Sequence, residues 1–466
     1  MIRNLINKVG DVRQGEWRAL AWSALLFFLI LAGYYLVRPV RDAIAAEFPR
    51  DVLGDLFWIT LGATLIANPI LALLAVYIPR RILVPIAYSA FVALLTIVFF
   101  AMRAPDEPTR LLAGRTLYIG VSVLNLFLMT LFWALMADGY SLSRSKRLFG
   151  IVAAAGTLGA VCGAFASSRI VSIKLAGHEE QSGPALSILA GAVLIALTIP
   201  VSFLARRAMS DMPPAPDEAL GNHDTDARKP VGGHFLAGFV AIARSPLLAG
   251  IACYLFFIPF AQTLVYFQQV DVIKAADLTR EEATKYLASV DVWVNTAALV
   301  IQLFLTSRII KWITVGGALV TLPVASCAGV AALAYAPSLT TLAVVRVAQR
   351  AVNYALARPA RETLFTVVSP EDRFKAKPVI DTFIYRAADG VGERADKSLA
   401  DYLLYLVPPM LIIWSAIAVT LGALQRRRVR EAAPHQLCPN CRYDMRGITS
   451  DICPECGKST ETSSIP

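Results

Sequence analysis

Residues 19–44 read ALAWSALLFFLILAGYYLVRPVRDAI. From Ala19 to Val37 no side chain is charged. A helix rises about 1.5 Å per residue, so a run of this length crosses most of a hydrocarbon core of about 30 Å. The run then ends in RPVRDAI, residues 38–44: two arginines around a proline, then an aspartate. RPARETL at 358–364 repeats the pattern after another apolar run. Charges set against oily segments are costly, so the repetition calls for a reason.

Composition decides the class. Hydrophobic residues make up 56% of the 466 and charged residues 17%, where a soluble domain carries roughly a quarter charged. Mean hydropathy is +0.58. In lipid only helices and closed barrels satisfy the backbone, and the recurring runs have helical length. We therefore expect an all-α polytopic membrane protein with twelve transmembrane helices. The first six spans lie near 19–37, 56–78, 82–102, 114–137, 148–170 and 184–204. The second six lie near 247–270, 286–307, 313–335, 339–357, 376–395 and 403–424, the tenth and eleventh being weakened by charges. The mixed-charge stretch before the first run has no small-residue cleavage site, so the first span reads as a retained helix and not a signal peptide.

Basic residues set the orientation. Arg80 and Arg81, then Arg144, Lys146 and Arg147, and Arg206, Arg207, Arg228 and Lys229 fall on one side of the expected spans. Arg426, Arg427, Arg428 and Arg430 fall on that side too. Both termini are thus expected to be cytoplasmic, in the cell's inner membrane. The net charge of +10 follows from this bias and gives no reason to expect a nucleic-acid partner.

The chain divides in the middle. Residues 1–204 form one six-helix bundle, 205–240 a polar linker rich in Pro, Gly and Asp, 241–430 a second bundle, and 431–466 a tail. SRSKRLFGIVAAAGTLGAVCG after the fourth span resembles PEDRFKAKPVIDTFIYRAADGVG after the tenth. Two six-helix pseudo-repeats around a midplane site is a major-facilitator-like architecture.

Helical spacing brings the polar residues into stripes. On the first span Tyr34, Arg38 and Arg41 share a face, with Asp42 beside them. Tyr118, Ser122 and Asn125 do so on the fourth, Gln262, Tyr266 and Gln269 on the seventh, and Asp291 and Asn295 on the eighth. The tenth carries Arg346, Arg350 and Asn353 on one stripe and Arg350, Tyr354 and Arg358 on the next, with Arg361 following. The eleventh stacks Asp381, Tyr385 and Asp389, with Arg386 next to them. Guanidinium forks suit phosphate or carboxylate, and tyrosines and amides can stack on a ring and read its edges. The expected substrate is an anion, phosphorylated and aromatic. The other reading is structural: Arg38 and Arg361 snorkel to the interface, while Arg41–Asp42 and Arg361–Glu362 are neutral pairs that latch or gate the halves. Pro39, Pro69, Pro259 and Pro359 are expected to kink or end helices, and Gly156, Gly159 and Gly163 to form a close-packing face.

GYYLVRPVRDAIAAE, NLFLMTLFWALMADGYSLSRSKRLFGIVAAAGTLGA, VYFQQVDVI and NYALARPARETLFTVVSPEDRFKAKPVIDTFIYRAADGVG resemble the bacterial branch of the Tlc-type ATP/ADP translocase (nucleotide transporter) family. The resemblance implies a major-facilitator-like fold and exchange of ATP for ADP or import of other nucleotides. It gives Arg41 and Asp42 the role of that family's basic–acidic pair. The exchangers carry Lys at the place of Arg41 and an acidic residue at the place of Val121.

The tail adds CPNCRYDMRGITSDICPECG. Cys438, Cys441, Cys453 and Cys456 form two CxxC knuckles, a spacing that suits a tetrahedral site for structural zinc or, second to it, iron; the other reading is a redox dithiol pair. A zinc ribbon this short folds with its metal, and is expected to dock a cytoplasmic protein partner. Cys162, Cys253 and Cys327 lie within spans as packing residues. There is no Walker A loop, no HExxH and no GxSxG, so no enzyme activity is expected and ATP would be cargo. The sequence thus points to a secondary transporter of nucleotides or a related organic anion. The alternatives are a carrier of a different solute, or a non-transporting scaffold or sensor that uses the ribbon.

Overall fold

The computed structural model describes residues 12–13, 15–78, 80–174, 182–213, 237–369, 372, 375–377, 379–399 and 402–432. Among them the regular structure is helical, and no strand occurs. The first half consists of α1 (Trp17–Glu47), α2 (Arg50–Tyr77), α3 (Arg80–Ala101), α4 (Glu107–Gly139), α5 (Leu142–Ile170) and α6 (Ser182–Ser210). The second half opens with a short α7 (Ala237–Arg244), then α8 (Pro246–Ala275), α9 (Arg280–Phe304) and α10 (Thr306–Tyr335). α11 (Leu339–Val352) continues through a π-turn (Asn353–Ala357) into α12 (Arg358–Leu364). A second π stretch (Val379–Ile384) leads into α13 (Tyr385–Leu399), and α14 (Leu403–Ala432) closes the half. α6 runs past the linker boundary expected at 205. The four tail cysteines lie outside the described residues.

Eight of these helices are long and apolar enough to cross a membrane by themselves: α1, α3, α4, α5, α6, α8, α10 and α14. α11 and α13, at 14 and 15 residues, are too short to do so by themselves.

The end of the first span needs correction. α1 does not stop near Val37, and Pro39 sits inside it; Pro259 sits inside α8, within the span expected there. RPVRDAI is therefore the interior of a 31-residue helix and not its end. The helix continues because Arg38 and Asp42 are buried against neighbouring helices and meet partners in the protein. Pro359 starts α12, where a missing backbone N–H is tolerated, and the π-turn before it absorbs the change of winding.

Glycines let the helices approach backbone to backbone. A Cβ on Gly159 would lie 2.2 Å from the Phe28 carbonyl oxygen, and one on Gly163 would lie 2.3 Å from that of Ala32. One turn further on, the Ser167 hydroxyl donates to the Leu36 carbonyl at 3.2 Å. These contacts climb α5 and α1 together, so the two helices run parallel. In the second half Gly392 of α13 approaches α8 in the corresponding way, its Cβ position 3.1 Å from the Phe260 oxygen.

Polar contacts join the halves at the end where α1 meets α2. Arg280 donates from Nε to Glu47 at 2.5 Å. Arg50 binds both Asp271 and Asp396, and Lys274 donates to the Phe48 carbonyl. Slightly deeper, the Trp58 indole donates to Glu393 at 2.8 Å. At the opposite end, pairs between described residues stay within a half, such as Arg147 with Glu16 at 2.8 Å and Arg428 with the Val367 carbonyl at 3.4 Å.

Candidate functional site

A cavity of about 190 Å³ lies between the halves. α1 lines it with Arg38 and Arg41, α4 with Tyr118 and Ser122, α8 with Gln262 and Tyr266, α11 with Arg346 and Arg350, and α13 with Arg386 and Asp389. The stripes expected from helical spacing thus converge. Arg41 leads the first-half wall: it donates from Nε to Asp42 at 2.9 Å and from Nη1 to the Ser122 hydroxyl at 3.2 Å, and its guanidinium lies 5.5 Å from the Tyr118 ring centroid.

Asp291 ties the halves together behind the cavity. Its Oδ1 accepts from Arg38 at 3.3 Å and from Arg350 at 2.6 Å, so one carboxylate serves a guanidinium from each half. Asn295, one turn on, donates to the Asp291 backbone carbonyl at 2.8 Å and steadies that turn. Asp42 is shared as well, but within α1, by Arg41 and by Arg38 at 3.9 Å. On the far wall Asp389 accepts from Arg386 at 3.0 Å and from the Thr263 hydroxyl at 3.3 Å.

Arg346 differs from all of these. It is 6% exposed, lines the cavity, and makes no hydrogen bond or ion pair with any described residue. Five guanidinium groups in and around the cavity therefore face three carboxylates, Asp42, Asp291 and Asp389. An excess of two positive charges remains where desolvation makes each unpaired charge cost several kcal/mol, of order. An anion would complete the charge balance of such a site.

Other expected residues stand outside the lining. Tyr34 is buried beside it on α1, and Asn125 and Asn353 do not reach the cavity. Gln269 is fully buried on α8, and neither atom of its amide has a partner among the described residues. Arg358, Arg361 and Asp381 form a separate cluster: Arg361 donates to Glu362 at 3.2 Å, Lys377 donates to the same carboxylate at 2.6 Å, and Arg358 and Asp381 are exposed. The second arginine–proline segment does not meet the first at one site.

Phe57, Thr60 and Leu61 of α2 and Thr263 of α8 line the cavity without having stood out in the sequence. The buried Thr60 hydroxyl has no partner among the described residues. Thr60 and Thr64 of FWITLGAT lie one turn apart on α2, but two uncharged hydroxyls in an apolar run mark no charged stripe, so only the fold reveals that Thr60 reaches the cavity.

No known family profile matches the chain, and no curated protein matches it significantly. Solved structures do. The nucleoside transporter NupG aligns with a TM-score of 0.53 at 12% identity, over 90% of this chain and 100% of its own. A bacterial homologue of the human lysosomal transporter Spinster, inward-facing and unoccupied, aligns at 0.52 and 16% identity, over 90% and 98%. A D-xylose–proton symporter aligns at 0.52 and 13% identity, over 88% and 97%. At these identities the likeness is one of fold. Together with the eight apolar helices it makes the chain a multi-pass helical membrane protein with a major-facilitator-like fold.

Proposed function

We propose that the chain is a secondary carrier, not an enzyme, that moves a phosphorylated organic anion across the inner membrane by alternating access. It crosses the bilayer with twelve spans and keeps both termini cytoplasmic. The buried Arg346, unpaired among the described residues, in a cavity with two excess positive charges supports this reading most directly. A scaffold has no use for an uncompensated guanidinium at that depth, whereas a carrier neutralises it each time substrate binds.

Nucleotides such as ATP and ADP are the first substrates to try, because the segments around RPVRDAI and RPARETL resemble nucleotide exchangers. A cavity of about 190 Å³ is smaller than the roughly 300–1,000 Å³ of drug-sized ligand sites. In this state it has room for a phosphate or a small phosphorylated solute. The base and ribose of a nucleotide need the space released when the halves rock apart. With the positive-inside orientation, the bonded end at Glu47 and Arg50 faces outside, so this state is closed to the exterior.

The test is uptake of labelled ATP, ADP, inorganic phosphate and sugar phosphates into proteoliposomes. Saturable uptake of at least one phosphorylated anion, competed by its analogues, supports the carrier. Absence of transport for every anion by folded wild-type protein removes it. For the tail we propose one structural zinc held by Cys438, Cys441, Cys453 and Cys456, docking a cytoplasmic protein; elemental analysis of the purified chain should find about one zinc per chain.

A further inference from the structure

A larger cavity of about 790 Å³ opens between α5 and α9 and shares no lining residue with the anion site. α5 belongs to the first half and α9 to the second, so this groove is a seam between them. Phe165, Arg169 and Ser172 line one wall, and Lys285, Val292 and Trp293 the other.

The two walls are graded in the same direction. α5 climbs parallel to α1 towards the bonded end, so Arg169 and Ser172 lie nearer that end than Phe165. α9 starts at that end with Arg280, which holds Glu47, and runs away from it. Lys285 is therefore level with the polar part, and Trp293 lies eight residues deeper, about 12 Å at 1.5 Å per residue. That is close to half of a hydrocarbon core of about 30 Å. The groove is cationic near the membrane surface and aromatic towards the middle of the leaflet.

The cations are available. Arg169 and Lys285 are exposed, and neither forms an ion pair with a described residue. Arg169 lies over the Phe165 ring at 5.1 Å. Glu282, the acidic group in the lining, is occupied as the helix cap: its Oε2 accepts from the Thr279 amide at 3.0 Å and from the Thr279 hydroxyl at 2.8 Å. The aromatic part is uncovered, with Trp293 66% and Phe165 51% exposed.

We propose that this seam holds one anionic glycerophospholipid, its phosphate between Arg169 and Lys285 and an acyl chain along Phe165 and Trp293. Basic pockets between membrane helices bind lipid headgroups through the same charge complementarity. Because its walls come from opposite halves, the bound lipid braces the bonded state. The inference stands on the groove and does not require the anion site to be a transport site.

Native mass spectrometry of the full chain in detergent micelles, with phosphatidylglycerol or phosphatidylcholine added, tests it. Wild type should keep one phosphatidylglycerol per chain through a wash that strips phosphatidylcholine. R169Q/K285Q should bind it at least tenfold more weakly, while R169K/K285R, which retains both charges, should keep it. A second reading uses fluorescence: phosphatidylglycerol with brominated acyl chains should quench wild-type emission more than that of W293F. Equal retention of the two lipids by wild type, or by wild type and R169Q/K285Q, would mean unspecific annular lipid and overturn the proposal. Displacement of the lipid by equimolar glycerol 3-phosphate would make the groove a soluble-anion site and overturn it equally.

Discussion

Arg38 and Arg41 of RPVRDAI lie inside α1 among buried partners, each bound to Asp42, and Arg38 also to Asp291 across the two halves. Arg358 and Arg361 of RPARETL lie beyond a π-turn: Arg358 is exposed, and Arg361 pairs with Glu362, whose side chain is 42% exposed and also binds Lys377. The residue pattern is almost the same, yet the surroundings differ in dielectric and in the number of partners. The first segment lines a cavity where, among the described residues, guanidinium groups outnumber carboxylates. The second is a local charge cluster that is close to balance by itself.

The widest gap between the two should come from removing a carboxylate. Asp291→Asn strips the shared partner from Arg38 and Arg350, and taking one member from a buried ionic network costs about 3–5 kcal/mol. Thermal unfolding in detergent micelles should show that loss, and a shift no larger than for a surface variant would break the comparison. Arg346→Gln should act oppositely on stability, leaving it unchanged or improved, because it removes an unpaired buried charge. Its cost falls on binding instead, about 2–5 kcal/mol of anion affinity, as when one partner of a buried charge pair is truncated. An uptake KM unaltered by that change would remove Arg346 from the site.

Glu16 offers a pH-accessible version of the shared-carboxylate arrangement, just before α1, where Arg147 and Arg144 both approach it. Burial works to raise its pKa, but the Arg147 hydrogen bond, the Arg13 backbone amide and the two positive charges outweigh it and hold the carboxyl below its ordinary value. The stabilisation is therefore complete above about pH 4.5 and is lost as pH falls through the lowered folded-state value. Wild type should lose melting temperature on acidification through that window more steeply than Glu16→Gln. Parallel curves would mean the pair contributes nothing. The smallest effect belongs to Glu362→Gln in the second segment. Its half-exposed pairs are worth about 1 kcal/mol or less, so both stability and uptake should stay near wild type.

Much of the site was legible as stripes. Spacing of three to four residues placed Arg38 with Arg41, Arg346 with Arg350, and Gln262 with Tyr266, and in each case the cavity collects them. The reading failed where the winding changes. Arg350, Tyr354 and Arg358 share a stripe only if the helix keeps its ordinary period, but Asn353–Ala357 is a π-turn. One extra residue rotates everything after it by about 100°. Arg358 and Arg361 leave the cavity accordingly. Thr60 escaped notice for a different reason: it and Thr64 are small uncharged hydroxyls in an apolar run, and no charge marks their face.

The sequence by itself determined that this is a helical membrane protein, because uninterrupted apolar length and scarce charge admit little else in a bilayer. It also determined which helices carry the costly arginines. Only the tertiary structure decided which carboxylate each guanidinium meets, that Asp291 serves both halves, and that Arg346 has no carboxylate partner among the described residues. Those outcomes depend on how α1, α9 and α11 cross, which sets side-chain separations of 2.6 to 3.9 Å. No local pattern along the chain encodes a separation that fine.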